Sequence, residues 1–224
     1  ENKNAEIDND KCISCGACVY KCPCGAITDK SYVLDIIDML KGSENNTKYN
    51  VYAVIAPAIV SQCRFGRPSQ VVTAIKKLGF HQVVEAALGA DITLYNEALE
   101  WKEKGLMTTS CCPSYVAFIE KNFPELVQHI SHSVSPMIMT AQLIKHSDPT
   151  AKCVFIGPCA SKKAEFKLPK TGGAIDCVMS FEELQAFLDA RGIDTVECED
   201  TVLDNGSFYG RIFAKSGGIV QGLL

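Results

Sequence analysis

The sequence predicts an α/β protein in which a small cysteine-rich segment precedes a larger domain built on a largely parallel sheet. Three observations predict this fold class. Five of the twelve cysteines fall between Cys12 and Cys24, in a segment with few large apolar residues. From about residue 51 onward, apolar runs of strand length alternate with stretches of helical periodicity, which is typical of βαβ units. The chain has 224 residues, 47% of them hydrophobic, enough for one sizeable core beside a small module.

Composition and charge exclude several classes of protein. The formal net charge of -4 argues against a nucleic-acid binder. No apolar run approaches the length of about 20 residues that spans a bilayer, and no signal-peptide pattern stands at the start. Heavy cysteine usage beside apolar periodicity favours reduced, metal-binding thiols over the disulfides of small secreted proteins. We therefore expect a cytoplasmic protein that binds neither nucleic acid nor membranes.

The cysteine-rich segment, "KCISCGACVYKCPCGAITD", comes first and carries a metal-ligand pattern. Four cysteines follow C-x2-C-x2-C-x3-C with a proline directly after, namely Cys12, Cys15, Cys18 and Cys22. Bacterial-type ferredoxins hold cubane iron-sulfur clusters with this run, so a 4Fe-4S cluster is favoured over a zinc knuckle. In two-cluster ferredoxins the fourth cysteine ligates the other cluster. Either Cys22 or Cys24 therefore closes a single cluster, or a second run lies upstream of Glu1.

A short helix and a polar linker separate this segment from the larger domain. The stretch "SYVLDIIDMLKG" has apolar residues at helical spacing and stops at Gly42. The polar stretch "GSENNTKYN" follows it. We therefore divide the chain into a module with its short helix at residues 1–42, a linker at 43–50 and an α/β domain at 51–224.

In the larger domain, apolar runs and helical patterns alternate to the end of the chain. The apolar runs are "VYAVIAPAIV", "HQVVEAAL", "LMTTSCC" and "AKCVFIGPC". The helical patterns are "PSQVVTAIKKLGF", "YNEALEWKEKG", "SYVAFIEKNF" and "SFEELQAFLDARG", the last with a capping box of Ser180 and Glu183. No P-loop and no GxGxxG follows a strand, so nucleotide binding is not predicted.

Three of the apolar runs end in unusual residues. They end at Ala56 and Pro57, at the adjacent pair Cys111 and Cys112, and at Cys159. In α/β sheets, ligands bind beyond the carboxyl ends of the strands. We therefore expect the three endings to converge on one site.

The adjacent cysteines suggest a division of roles. A thiolate ligates soft metals and a free thiol beside it carries a proton, although two buried small apolar residues would also explain the pair. "TSCCPSY" resembles the first signature of the iron-only ([FeFe]) hydrogenases, and "GPCASKKAEF" resembles the second, in the expected order. The resemblance extends over most of the chain, through "IAPAI" to "GRIFAKSGG", and is greatest to the monomeric, ferredoxin-containing type.

This resemblance implies a ferredoxin-like iron-sulfur module followed by a hydrogenase-type α/β catalytic domain. It implies an H-cluster, which is a 4Fe-4S cubane joined through one cysteine to a two-iron unit with CO, cyanide and azadithiolate ligands. By motif match, Cys112 and Cys159 are two of the cubane ligands and Cys111 is a free thiol that exchanges protons with the bridge amine. By the same match, Lys162 would donate to a cyanide ligand. The alternative interpretation is that Lys162 is an ordinary solvated lysine, as is expected of Lys163 beside it. Ala56 and Pro57 line the two-iron pocket.

The resemblance also implies a proton relay. Glu97 and Glu100 stand three residues apart, on one face of a predicted helix. Without the resemblance, two glutamates at this spacing would usually lie on a solvent-exposed face of the helix. By motif match, protons pass through Glu100, Glu97 and Ser131 to Cys111.

The chain also departs from the family pattern. Ser114 and Tyr115 replace a glycine and a tryptophan, and Gly157 replaces a methionine that packs near the two-iron unit. The third signature, a C-x3-C that supplies the other two cubane ligands, does not follow Cys159. We therefore expect a C-terminally incomplete catalytic domain, a native polypeptide that continues beyond Leu224, and no activity from this stretch alone.

The leading functional hypothesis is a hydrogenase that interconverts dihydrogen and protons, with a ferredoxin-like electron carrier and separate maturation proteins as partners. One alternative is a hydrogen or redox sensor with the same cofactor. Another is a non-catalytic iron-sulfur protein of the Nar1/Narf type, although those relatives generally lack the first cysteine of the adjacent pair. The remaining cysteines considered are interpreted as small buried or surface thiols: Cys63, Cys153, Cys177 and Cys198.

Overall fold

A parallel sheet forms the centre of the fold in this computed structural model, which describes residues 6–62 and 66–223. In the described residues the strands are β1 (Val51–Ile55), β2 (Gln82–Glu85), β3 (Lys152–Gly157) and β4 (Cys177–Ser180). Their order is β2-β1-β3-β4, and every pairing is parallel. The strands are nearly continuous apolar runs, as parallel strands covered on both faces must be. The α/β class with a largely parallel sheet is thus confirmed.

Helices cover the sheet and connect its strands. They are α1 (Ala17–Lys21), α2 (Val33–Gly42), α3 (Ile59–Gln62), α4 (Pro68–Lys77), α5 (Ala86–Lys104), α6 (Pro113–Asn122), α7 (Pro136–Ser147), α8 (Ala160–Glu165), α9 (Phe181–Ala190), α10 (Phe208–Arg211) and α11 (Gly218–Leu223). Short 3-10 helices lie at Pro124–His129, Pro169–Thr171 and Ile212–Ala214. The capping box expected at Ser180 starts α9, since its hydroxyl accepts from the backbone N–H of Glu183. Among the described residues, no helix is both long and apolar enough to cross a bilayer.

Helices α5 and α7 pack closely because of a glycine. A Cβ at Gly89 would lie 2.4 Å from both the Pro136 carbonyl oxygen and the Thr140 hydroxyl. The Gly89 N–H donates to that hydroxyl over 3.1 Å. This close contact fixes α5, which carries both predicted relay glutamates, against a helix that covers the sheet.

One predicted apolar run is not a strand of the sheet. Residues 106–112 are extended but form only a single parallel bridge, between Thr108 and Ile130. The Thr108 N–H donates to the His129 carbonyl over 2.7 Å, and the Ser131 N–H donates to the Thr108 carbonyl over 2.8 Å. The prediction of a sheet strand here was wrong because these backbone groups pair with residues 129–131. The adjacent cysteines therefore lie on a loop between α5 and α6.

The segment predicted to be a linker is ordered against the larger domain. Glu44, Asn45 and Asn46 all have left-handed φ values of 51°, 57° and 62°. The Asn46 side chain donates to the Gly79 carbonyl over 3.0 Å and accepts from the Val51 N–H over 2.9 Å. Helix α2 buries Ile36 completely in the same core as the sheet. The boundary between module and domain stays a prediction, but α2 packs as part of the larger core.

Candidate functional site

Several predicted site residues meet at the carboxyl edge of the sheet. Strand β1 leads into Ala56 and Pro57, and β3 leads through Pro158 into Cys159. These residues, together with Cys111 and Lys162, line one cavity of about 170 Å³. The structure therefore brings together three stretches that are far apart in sequence. Their roles toward a cofactor stay predictions.

The two cysteines assigned to the cubane occupy equivalent positions at helix starts. Cys112 is the N-cap of α6 and Cys159 is the N-cap of α8, and both are exposed. The first N–H groups of a helix have no intrahelical partner, and the helix dipole favours negative charge there. Helix α6 also has Pro113 at its first position, where no N–H is needed. For Cys159, however, burial outweighs the nearby positive charge of Lys162 and raises the pKa of the thiol.

Cys111 has a different environment from its neighbour. Burial raises the pKa of its thiol, so the sulfur keeps its proton near neutral pH. The Thr109 hydroxyl is 3.7 Å from the Sγ atom. A protonated, half-buried thiol beside an exposed cysteine is consistent with the division of roles expected for Cys111 and Cys112.

Lys162 is not an ordinary surface lysine. Its side chain is 13% exposed, and its Nζ donates to the Cys111 carbonyl over 2.9 Å. The same Nζ pairs with the Glu165 carboxylate over 2.6 Å. The lysine thus connects α8 to the loop of the adjacent cysteines while its side chain lines the cavity.

Lys163, interpreted from the sequence as a solvated neighbour, is buried. Only 6% of its side chain is exposed, and its Nζ lies 2.8 Å from the carboxylates of both Asp29 and Glu183. Burial alone would lower its pKa, but the two carboxylates outweigh that effect and raise it. The solvated interpretation was wrong because both partners come from distant parts of the chain. The capping box identified Glu183, but no sequence signal connects it to Lys163.

Glu97 is completely buried on α5. One carboxylate oxygen accepts from the Ser110 N–H over 3.4 Å, while the other has no hydrogen-bond partner among the described residues. Burial raises the pKa of this carboxyl group, despite contributions from Ser110 and Ser131 that lower it. A carboxyl group of this kind can hold and release a proton closer to neutral pH than an exposed one.

Glu100, one turn further along α5, has the opposite environment. It accepts from the Ser131 hydroxyl over 2.8 Å and pairs with Lys104 over 2.6 Å. The His132 side chain, which is 82% exposed, lies 2.9 Å from the same carboxylate. Burial would raise the pKa of Glu100, but the hydrogen bonds from Lys104, Ser131 and the His132 backbone outweigh it and lower the pKa.

One direct contact joins two members of the predicted relay. The Ser131 hydroxyl donates to the Glu100 carboxylate over 2.8 Å. Ser131 also lowers the pKa of Glu97, and the charge of Glu97 raises the pKa of the Cys111 thiol. The order in which protons would pass through Glu100, Glu97, Ser131 and Cys111 stays a prediction.

The cysteine run near the N-terminus includes the short helix α1 and has N–H···S contacts on both sides of it. The Ser14 N–H lies 3.4 Å from Cys12 Sγ, and the Ala26 N–H lies 3.2 Å from Cys22 Sγ. Backbone N–H groups, first that of Ile27, lower the pKa of the Cys22 thiol. These contacts favour the thiolate, which is the form that ligates iron.

The ligand set of this run stays a prediction. Across residues 6–62 and 66–223, no three Cys, His, Asp or Glu side chains lie in an arrangement that could hold one metal ion. The two sulfurs of Cys22 and Cys24 are 3.9 Å apart. Both cysteines therefore stay candidates for closing a cluster.

Gly157 leaves no space for a side chain. A Cβ at this position would lie 2.4 Å from the Phe155 ring and 3.3 Å from the Ala56 side chain. The Phe155 ring is buried and lines the same cavity as Cys159. The ring of Phe155 thus occupies the space that a larger residue at position 157 would need.

Three of the other cysteines lie in the hydrophobic core. Cys153, Cys177 and Cys198 are buried, in agreement with their interpretation as small core residues. Burial raises the pKa of Cys153 to about 12 and that of Cys177 to about 11. Cys63 lies outside the described residues.

Comparison with known families gives two matches. Residues 49–224 match the family described as "Iron only hydrogenase large subunit, C-terminal domain". Residues 5–28 match the family described as "4Fe-4S binding domain". Together the two matches include every residue of the candidate site.

Individual relatives and solved structures agree with these matches. The chain is 30% identical to "Iron hydrogenase 1" of Clostridium pasteurianum, over 100% of this chain and 51% of that protein. It is also 36% identical over 93 residues to "Cytosolic Fe-S cluster assembly factor NAR1" of Kluyveromyces lactis, over 42% of this chain and 20% of that protein. The fold resembles the [FeFe]-hydrogenase HydA1 of Chlamydomonas reinhardtii with a TM-score of 0.68 and 26% identity, covering 78% of this chain and 51% of that chain. The chain thus spans about half the length of the hydrogenases it matches.

Proposed function

Because the chain belongs to the iron-only hydrogenase large-subunit family, we propose that it is part of an enzyme that interconverts dihydrogen with protons and electrons. The observation that carries this proposal is the half-buried Cys111, whose thiol pKa is raised by burial, beside the exposed Cys112 on the loop that follows the helix of Glu97 and Glu100. An iron-sulfur site needs only thiolates. A proton reaction needs a group that exchanges protons, and Cys111 is placed to do so.

The residues present would supply part of the ligand sets of the cofactors that this activity requires. Cys12, Cys15, Cys18 and Cys22 would hold a 4Fe-4S cluster, and the N–H···S contact to Cys22 suits an anionic cluster. Cys112 and Cys159 would supply two cubane ligands of the H-cluster from two helix starts. Ala56, Pro57 and Lys162 would line the two-iron pocket, with the lysine as a cationic donor. When bound, this cofactor supplies the redox chemistry of the reaction.

The chain's own groups would move the proton. Glu100 receives it at the surface, where Lys104 and His132 contact its carboxylate. The Ser131 hydroxyl, bonded to Glu100, passes it toward Glu97. The carboxyl of Glu97 has a raised pKa and therefore holds the proton readily before it reaches the Cys111 thiol.

The electrons would enter through the N-terminal cluster. We propose a ferredoxin-like carrier as the electron partner, a cytoplasmic location, and cofactor insertion by separate maturation proteins. A sensor that uses the same cofactor would receive electrons and protons through the same groups and would differ from the enzyme in its turnover.

A second candidate function follows from the match to the assembly factor NAR1. In that case the chain would hold iron-sulfur clusters without a two-iron unit. The half-buried thiol of Cys111 and the adjoining cavity would then have no chemical role, which is why the hydrogenase is favoured.

An infrared spectrum tests the proposal. The full-length polypeptide that contains these residues would be produced together with hydrogenase maturation proteins and purified without oxygen. We expect CO and cyanide stretching bands, hydrogen evolution with a reduced carrier, and loss of the bands in Cys112→Ser. Iron-sulfur absorbance without such bands would instead support the assembly-factor function.

A further inference from the structure

Helix α8 carries two neighbouring lysines with different partners. Lys162 lines the site cavity and bonds to the loop of Cys111, as described above. Lys163 instead forms ion pairs with Asp29, at the end of the cysteine-rich segment, and with Glu183 on α9. Because consecutive helix residues are about 100° apart around the axis, the two side chains leave α8 in different directions. The helix that begins at Cys159 is therefore connected both to the site and to the N-terminal segment.

Other contacts place the N-terminal segment on the same two helices. A Cβ at Gly16, inside the cysteine run, would lie 3.3 Å from the Ala160 side chain, directly after Cys159. From the last turn of α6, Lys121 donates to the Asn9 carbonyl over 2.9 Å and to the Cys12 carbonyl over 2.7 Å. The segment thus rests on α6 and α8, the helices that begin at Cys112 and Cys159.

We propose that Lys163 is a positioning residue that holds the N-terminal cysteine segment against α8. By doing so it fixes the separation between the cluster of that segment and the cubane at Cys112 and Cys159. This inference rests on the proposed function, in which electrons pass between these two centres. Electron transfer through protein slows exponentially with distance, so a loosely held segment would transfer electrons slowly and unevenly.

The ion pairs of Lys163 explain why docking depends on this residue. A buried ammonium needs compensation, and its two carboxylates come from different parts of the chain. Glu183 is already fixed by the capping box, where it accepts from the Ser180 N–H over 2.8 Å. Asp29 is the partner that the N-terminal segment contributes. Removal of its charge leaves Lys163 paired with Glu183, so the core stays intact while the docking contact is lost.

Asp29→Asn in the full-length, cluster-loaded polypeptide is the test. Asp29→Glu keeps the charge, and Lys170→Met is a matched control that removes an exposed lysine shortly after α8. Hydrogen exchange of residues 6–30 would be followed by mass spectrometry. Electron paramagnetic resonance would report the magnetic coupling between the N-terminal cluster and the cubane.

We expect amide exchange in residues 6–30 to be about tenfold faster in Asp29→Asn, the effect of losing one charge-assisted contact, with exchange in the sheet unchanged. The magnetic coupling should weaken in the same variant, whereas Asp29→Glu and Lys170→Met should match the unmodified protein in both measurements. Unchanged exchange in Asp29→Asn, or equal acceleration in Lys170→Met, would overturn the proposal. Hydrogen exchange reports the docking of the N-terminal segment even if no two-iron unit is present. Failure of this proposal can therefore be told apart from failure of the proposed function.

Discussion

Glu97 offers a test in which stability and activity move in opposite directions. The Glu97 side chain is completely buried, and one of its carboxylate oxygens has no hydrogen-bond partner among the described residues. Glu97→Gln keeps the size and the acceptor for the Ser110 N–H but removes the charge. We therefore expect the variant to unfold less readily than the unmodified protein at pH 7 while losing proton transfer.

The sign of this effect follows from the raised pKa of Glu97. The folded state binds a proton more tightly than the unfolded state, so the carboxyl group lowers stability as pH rises from its ordinary pKa of 4.5 through the raised value. Below that pH window the carboxyl group is protonated in both the folded and the unfolded state, so its titration does not lower the free energy of unfolding. Above it, the gain from Glu97→Gln should approach about 1–3 kcal/mol, because the amide removes a buried charge while leaving a polar group in the same place.

Glu100→Gln is the matched control on the same helix. Its pKa is lowered, so its ionised form contributes stability above pH 4.5 that is lost as pH falls through the lowered value. Removal of its charge leaves Lys104 and the Ser131 hydroxyl with a weaker acceptor, and we expect a loss of about 1–2 kcal/mol at pH 7.

Urea unfolding of both variants across a pH series from acid to neutral measures the two effects. At each pH, the free energy of unfolding of the unmodified protein is subtracted from that of the variant, which removes the contribution of the other titrating groups. A Glu97→Gln protein that is less stable than the unmodified one at pH 7, or whose difference does not change with pH, would refute the interpretation of Glu97 as a strained, proton-holding carboxyl.

Three further outcomes are expected. Cys111→Ala should reduce hydrogen evolution by about two to four orders of magnitude while keeping the infrared bands of the two-iron unit, because in the proposed function the thiol moves protons and does not bind iron. Gly157→Met should cost about 1–3 kcal/mol in urea unfolding through collision with Phe155, and Phe155→Ala in the same chain should recover part of that loss. Arg211→Met should lower the midpoint of thermal unfolding at pH 7 but have less effect in acid, because Glu85 has a lowered pKa and its ionised form needs the two bonds from Arg211, of 2.8 and 2.9 Å.

The sequence alone could predict the class of the fold and the position of the site. Strand-length apolar runs identified β1 and β3, and the residues after them, Pro57 and Cys159, do meet at the carboxyl edge of the sheet. Periodicity could not separate the apolar run before Cys111 from a strand, because its backbone pairs locally with residues 129–131. Helix α7 was not singled out, although its buried residues Met137, Thr140, Ala141 and Ile144 follow the spacing of one helix face.

What the sequence could not predict are contacts between distant residues. The burial of Lys163 depends on Asp29, 134 residues before it in the sequence, and on Glu183, 20 residues after it. The bond from the Ser131 hydroxyl to Glu100 joins residues 31 positions apart, which spacing along the chain does not encode. Such contacts arise from packing between elements, and only the folded chain fixes them.

The adjacent lysines of α8 also determine which changes in chain length this region can accept. An insertion or deletion of one residue between Cys159 and Lys162 would turn the rest of the helix by about 100°. Lys162 would then lose its bond to the Cys111 carbonyl, and Lys163 would lose Asp29 and Glu183, so the effect would reach the cavity and the N-terminal segment at the same time. Related chains should therefore vary in residue type along this helix far more readily than in its length.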